Sequence, residues 1–362
     1  MTLKATRYLL RKWLILPFLA VLTFLLTKFF ADHPEITEKI YSEKIYPVIA
    51  GLFSHFSVLF PFSLDDLFYI LLILTGILMA ILLISRKITG KKAGKIVLNV
   101  LAAAYFSFYM FWGFNYFRPN VNVRLNLPER KADTTEFIPV LKALIAQTNA
   151  SYCSFDDFDK HKIDSLVEDS YRKLAPLLRI KYPNGKRRPK KITFSRFFAQ
   201  AGISGYYGPF FSEIQVNSNN LPVEYPFVLA HEKAHQFGIT SEAEANFYAW
   251  LVCTQSNSKQ LQYSTNLAVL RFFLYQGFRL KQYPEIVKQL DKPVREDFKR
   301  IREHWAKLRN AKVDRVATKV NDTYLKTNKV EKGIEDYTGV VQYVMDFELD
   351  SAFQKKWKLK SE

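Results

Sequence analysis

The sequence predicts a mostly helical α+β protein in two parts: three N-terminal transmembrane helices, then a larger domain held outside the cytoplasm. Three observations lead there. Apolar stretches of membrane-spanning length occur only in the first third of the chain, and positive charge is distributed unevenly around them. The 245 residues beyond Phe117 combine helical periodicity with one short glycine-rich, alternating segment.

The spans cover residues 13–30, 67–84 and 96–117, each at least roughly 27 Å long as helix, enough to cross the hydrocarbon core. No charged residue interrupts 67–84. The first stretch follows a basic start as a signal peptide would, but no clear small-residue cleavage site comes after it, so it reads as a retained span. Lys4, Arg7, Arg11 and Lys12 precede the first span, and Arg86, Lys87, Lys91, Lys92 and Lys95 fill the turn between the second and third. The loop 31–66 carries Asp32, Glu35, Glu38, Glu43, Asp65 and Asp66 against Lys39 and Lys44. The bias places the N-terminus in the cytoplasm and, after three crossings, residues 118–362 outside it. Residues 1–117 therefore form a multi-pass anchor in the cytoplasmic membrane, with the bilayer as first partner.

Beyond the anchor, 134–150 and 163–178 read as helices, 191–198 as a strand, and 265–281, 296–309 and 337–347 as further helices. The turn Tyr182-Pro183-Asn184-Gly185 and the basic run 186–191 look the most exposed. Gly202, Gly205 and Gly208 interleave with aromatics, and Ser212, Glu213, Ile214, Gln215, Val216 and Asn217 alternate as a strand does. This strand is a candidate edge for pairing with an extended peptide.

The most informative residues follow. His231-Glu232-Lys233-Ala234-His235 spells H-E-x-x-H on a segment that Pro226 can open and Gly238 can close as a helix. Imidazoles four apart share a helical face and can hold one Zn²⁺, while Glu232 between them can serve as general base. A hydrolytic site needs a third protein ligand. Ser241 can cap a second helix in which Glu244 completes a capping box, Glu242 shares a face with Asn246, and Glu244 points the other way. Glu242 is the candidate ligand, Asn246 a residue that orients a ligand from behind, and Glu244 the alternative ligand. Tyr206, Tyr207 and Tyr263 are candidates, by residue type, for a donor to a developing oxyanion.

The formal net charge of +18 is spread over many helices, which favours attraction to anionic envelope polymers; nucleic acid is excluded as a partner by placement outside the cytoplasm. Two cysteines, Cys153 and Cys253, make no disulfide framework.

The run WGFNYF (112–117) with Arg118 and Pro119, GYYGPFFSEIQVN (205–217), the stretch from His231 to Trp250, QYS (262–264) and NDTYLK (321–326) resemble an uncharacterised bacterial domain-of-unknown-function family. Its members are membrane-anchored, zincin-like proteins of Bacteroidetes and Firmicutes. The element around Glu242 also resembles the E-x-x-x-D element of the glutamate-zincins, with Asn246 where they have Asp. The resemblance implies a zincin-like metallopeptidase domain and supplies no substrate; the residues themselves point to Zn²⁺ on His231, His235 and Glu242, and placement outside the cytoplasm points to a peptide or protein substrate of the envelope. A non-catalytic binding or structural module on the same fold is the rival expectation. Retention of Glu232 argues against it, because a structural zinc needs no base.

Overall fold

The computed structural model describes residues 12–130, 133–183, 185, 187–328 and 330–361. The basic residues Lys4, Arg7 and Arg11, together with Asn184 and Lys186 of the exposed-looking turn and run, lie outside the described residues.

Three helices are long and apolar enough to cross a membrane: α1 (Ile15–Asp32), α3 (Leu64–Ile84) and α4 (Gly90–Phe111), with α2 (Tyr46–Ser57) between the first two. Ser63 caps α3 by accepting the Asp66 amide, and Thr89 caps α4 by accepting that of Lys92. The third span is shifted from the expected 96–117. It begins at Gly90 and stops at Phe111, because Trp112 leaves helical geometry and Gly113–Phe117 tightens into a 3₁₀ turn. Gly113 fits there because a Cβ would meet the Phe108 ring at 2.7 Å.

Helices α1 and α4 run side by side. Lys95 lies over the Trp13 ring at one end, and Phe30 meets Phe114 at the other. Their C-terminal ends and the N-terminal end of α3 meet the globular body. Part of the loop between the first two spans belongs to that body, since Tyr41 and Tyr46 are buried with Trp112, Phe114 and Phe117. Glu38 takes a bidentate bond from Arg118, at 2.6 and 2.7 Å.

The globular core packs α5 (Thr134–Ser151), α6 (Lys160–Leu174), α8 (Tyr225–Gln236), α9 (Glu242–Thr254), α10 (Lys259–Gly277) and α13 (Val340–Glu348) around one apolar centre. Asp133 and Glu136 form a full capping box at the start of α5. Helix α9 runs through the middle, buried from Ala243 to Cys253. The helices α11 (Lys292–Leu308) and α12 (Ala311–Thr327) lie outside, and α14 (Ser351–Ser361) ends the chain. Cys153 and Cys253 are free thiols.

The sheet is small. Strands β1 (Lys190–Lys191), β2 (Gly205–Gly208) and β3 (Glu213–Val216) lie in the order β1-β3-β2, with β1 parallel and β2 antiparallel to β3. The strand expected over 191–198 is therefore two residues long. Past it, the Thr193 amide donates to Asp66 instead of the sheet, and α7 (Ser195–Gln200) begins. The basic run is not wholly exposed either: Arg187 pairs with Glu168, and Lys190 is buried against Glu213 and the Ser57 and Phe62 carbonyls.

Candidate functional site

Helix α8 carries the H-E-x-x-H residues and is buried along its whole length, so each polar group on it requires a partner. Lys233 points away from the histidines and is held by Asp164 and Glu168 of α6. Gln236 donates to the Ser212 carbonyl at 2.7 Å. The helix ends as the glycine predicts. Gly238 sits at φ +80°, its amide bonds the His235 carbonyl, and the Ile239 amide reaches back to Ala234, a Schellman closure. This turn returns the Ile239 carbonyl to His235 Nδ1 at 2.7 Å. A carbonyl only accepts, so Nδ1 carries a hydrogen and Nε2 is the atom that faces the centre.

There three donor atoms converge. His231 Nε2 and His235 Nε2 are 3.1 Å apart, and Glu242 Oε2 lies 3.0 Å from the first and 3.4 Å from the second. Four ligands about 2.0–2.1 Å from a tetrahedral zinc would stand about 3.3 Å from one another, so the triangle fits one face of such a site and leaves a fourth position open. The electrostatics agree. Glu242 is buried, which opposes its charge, yet the His235 and His231 imidazoles hold its pKa well below the usual carboxylate range. His235, against its own burial, is raised to about 9 by Glu242. Burial pushes Glu232 up to about 7, in opposition to the two imidazoles and helped by Glu242. Two buried carboxylates thus ask for positive charge between them, which protonated imidazoles or a divalent cation can supply.

Strand β2 passes beside Glu232. A Cβ on Gly205 would come 2.7 Å from Glu232 Oε1, so glycine lets the backbone approach. The Asn217 amide bonds the Ser204 carbonyl, and by antiparallel alternation the backbone groups of Gly205 and Tyr207 face the unpaired side of the sheet. The edge is therefore 205–208 and not 212–217. Ser212 to Asn217 are all buried, and β3 is the central strand. Their polar groups have structural partners. Ser212, at φ +53°, turns the hairpin and bonds Tyr207; Glu213 binds Lys190, Ser63 and the Asp65 amide; Gln215 donates to Ser63; and Asn217 donates to the Ser195 and Ile203 carbonyls. Ile214 and Val216 belong to the apolar core.

Several other expectations change in the same way. Glu244 accepts the Val121 amide and pairs with buried Arg124, so it faces away from the histidines and is no alternative ligand. Only half of the expected capping box forms, with Ser241 accepting the Glu244 amide. Asn246 does not touch either histidine; its amide donates to the Tyr337 carbonyl at 3.3 Å. The three tyrosines singled out for an oxyanion have their hydroxyls engaged elsewhere: Tyr206 with Asp66, Tyr207 with Ser212 and Tyr46, and Tyr263 with Asp297 at 2.7 Å.

A further tyrosine lies near the two carboxylates. Tyr337 lies in the 3₁₀ segment Gly333–Gly339, close enough to Glu242 and Glu232 to feel their charge and beside Asn321 of α12. Behind it Tyr116 donates to the Tyr324 hydroxyl at 3.1 Å, both close enough to Glu242 to feel its charge. The NDTYLK run supplies Asn321 and Tyr324, so the motif was visible in the sequence, but its distance from His231 along the chain hid its purpose.

The ends of the spans brace α8. Trp112 Nε1 donates to the His235 carbonyl, Tyr46 to that of Gln236, and Arg118 to those of Phe237 and Gly238. These contacts define a chain in which the ends of long apolar helices meet a buried helix with two histidines, gathered with the Glu242 carboxylate and Glu232 beside them. Residues 41–345 match the model of a family described as "Protein of unknown function (DUF3810)", and the chain belongs to that family. No curated protein and no solved structure matches it.

Proposed function

We propose that the protein is a membrane-anchored zinc endopeptidase of the glutamate-zincin type, hydrolysing peptide bonds of envelope or secreted proteins on the extracytoplasmic side of the bacterial inner membrane. The observation that carries this is the 3.0–3.4 Å triangle of His231 Nε2, His235 Nε2 and Glu242 Oε2 with Glu232 beside it. Zn²⁺ held by those three atoms would polarise the scissile carbonyl and acidify a water. Glu232 takes the proton of the attacking water, whose oxygen bonds the carbonyl carbon, and delivers a proton to the departing amide nitrogen as the C–N bond breaks. Glu232, buried beside the two histidines, is placed for both halves of that exchange. Tyr337, near Glu242 and Glu232, is the candidate donor to the developing oxyanion, and the unpaired side of β2 is the candidate edge for the substrate backbone.

The test is Glu232→Gln. The variant should fold, insert and bind zinc like wild type while losing at least about 10²-fold in peptide hydrolysis, the minimum ascribed to a general base. Full complementation of a deletion strain by the variant at equal expression would instead favour a non-catalytic binding module.

A further inference from the structure

The site stands at the ends of the helices long and apolar enough to cross a membrane. Trp112, the first residue after α4, places its ring 6.4 Å from that of His235. Tyr116, one turn further on, bonds Tyr324, and the Tyr324 ring lies 6.2 Å from that of Phe108 in the last turn of the span. At the first turn of α3, Asp66 holds the Tyr206 hydroxyl and Asp65 takes the Phe210 and Phe211 amides, so both ends of the β2–β3 hairpin approach are fastened to a span.

Two neighbouring elements present apolar side chains to solvent at this level. On the α7 side these are Phe194 and Phe197, 55% and 59% exposed; on α12 they are Val316, Val320 and Tyr324, spaced four apart on one stripe, the two valines 64% exposed. The elements meet where the Asn310 amide bonds the Gln200 carbonyl. Thr193 ties the first patch to the start of α3 through Asp66, and Tyr324 ties the second to the end of α4 through Phe108. Exposed Arg196, Arg315 and Lys319 flank them, as on a helix that rests in anionic headgroups. Helix α12 meanwhile packs against the 3₁₀ segment that carries Tyr337.

We infer that the α7–α12 rim rests in the headgroup layer and that the substrates are polypeptides tethered to the same bilayer, cut within a few residues of where they leave it. This rests on the peptidase reading above and names its substrate class. The occupant of the rim is lipid, because both patches are continuous with the ends of membrane spans and carry basic flanks.

The full-length protein in vesicles of phosphatidylethanolamine and phosphatidylglycerol is given a quenched fluorescent peptide library in three forms: free, palmitoylated through a 4-residue spacer, and palmitoylated through a 20-residue spacer. The short-tethered form should be cleaved at least about tenfold faster than the long-tethered one, beyond the shared gain from surface confinement. F197D/V320D should remove that preference and leave cleavage of the free peptide unchanged. Equal rates on all three forms would overturn the inference while keeping the peptidase reading. Absence of cleavage of any form by zinc-loaded wild type would overturn the peptidase reading itself. The rim is judged separately with an environment-sensitive dye on F197C or V320C, in a chain without Cys153 and Cys253. Quenching by lipids doxyl-labelled near the headgroup is expected, and a dye reporting bulk water would overturn the rim whatever the activity.

Discussion

Glu242 and Glu244 are two residues apart and do unrelated work, which shows how strongly helical phase assigns chemistry. Glu242 meets both imidazoles, whereas Glu244 faces the opposite side and neutralises Arg124 beneath the anchor. Glu242→Ala should lower zinc affinity by a large factor with little loss of folding, as metal titration and thermal unfolding will report. Glu244→Ala should do the reverse. It leaves the Arg124 guanidinium buried without its carboxylate, a loss of about 3–5 kcal/mol, and should spare zinc affinity in whatever fraction stays folded. Similar metal affinities for Glu242→Ala and wild type would remove Glu242 from the site. His231, Glu232 and His235 were legible in the sequence because helical spacing puts them together, and Glu242 because it opens the next helix only a short turn after Gly238. Tyr337 and Asn321 were not, because nothing local links residue 337 to residue 231; only the packing of α12 and the 3₁₀ segment on α9 does so.

Element boundaries show the same division between local and distant causes. Helix α8 was readable at both ends from Pro226 and Gly238, and the structure closes it at Gly238 through the left-handed turn. The sheet was not readable, because the alternation of Ser212–Asn217 describes a strand equally well at an edge or in the centre. Its central place follows from Lys190 and Ser63 meeting Glu213, contacts remote in sequence. Gly238 offers a test at this scale. An alanine there must adopt φ near +80° and bring its Cβ 3.0 Å from Asn115 Oδ1 and the Tyr46 ring. Gly238→Ala should cost about 1–2 kcal/mol in stability from the left-handed backbone alone and weaken zinc binding by displacing the Ile239 carbonyl from His235. Unchanged stability and unchanged metal affinity together would show that the closure does not position the ligand.

At the scale of the whole molecule, the two parts separated in the sequence at residue 117 prove to be interlocked, a fact that hydropathy could not reveal because it registers composition and not partners. Orientation is tested by labelling. With Cys153 and Cys253 replaced, R188C should react with an impermeant thiol reagent on spheroplasts and a cysteine at Lys91 should not; the opposite pattern would turn the site toward the cytoplasm. The Glu38–Arg118 pair joins the first loop to the end of α8, and it is sensitive to acid. Burial raises the Glu38 pKa, but Arg118 outweighs it and leaves the value below the usual 4.5. The stabilisation is therefore complete above the unfolded value of about 4.3 and disappears as pH falls through the lower folded value. Glu38→Gln should be less stable than wild type at pH 6, and the gap should close on acidification; a gap independent of pH would mean that the pair contributes through packing alone.

The carbonyls at the end of α8 are held by Trp112, Tyr46 and Arg118, all from segments that border the long apolar helices. A ribosome releases those segments before it has made His231. On the proposed membrane-anchored reading the order of synthesis becomes a safeguard: insertion would assemble the brace first, and a chain whose spans failed to insert would carry its histidines on an unsupported helix end. Proteolysis would thus be licensed by correct biogenesis, and a fragment starting at residue 118 should be unable to acquire it in solution.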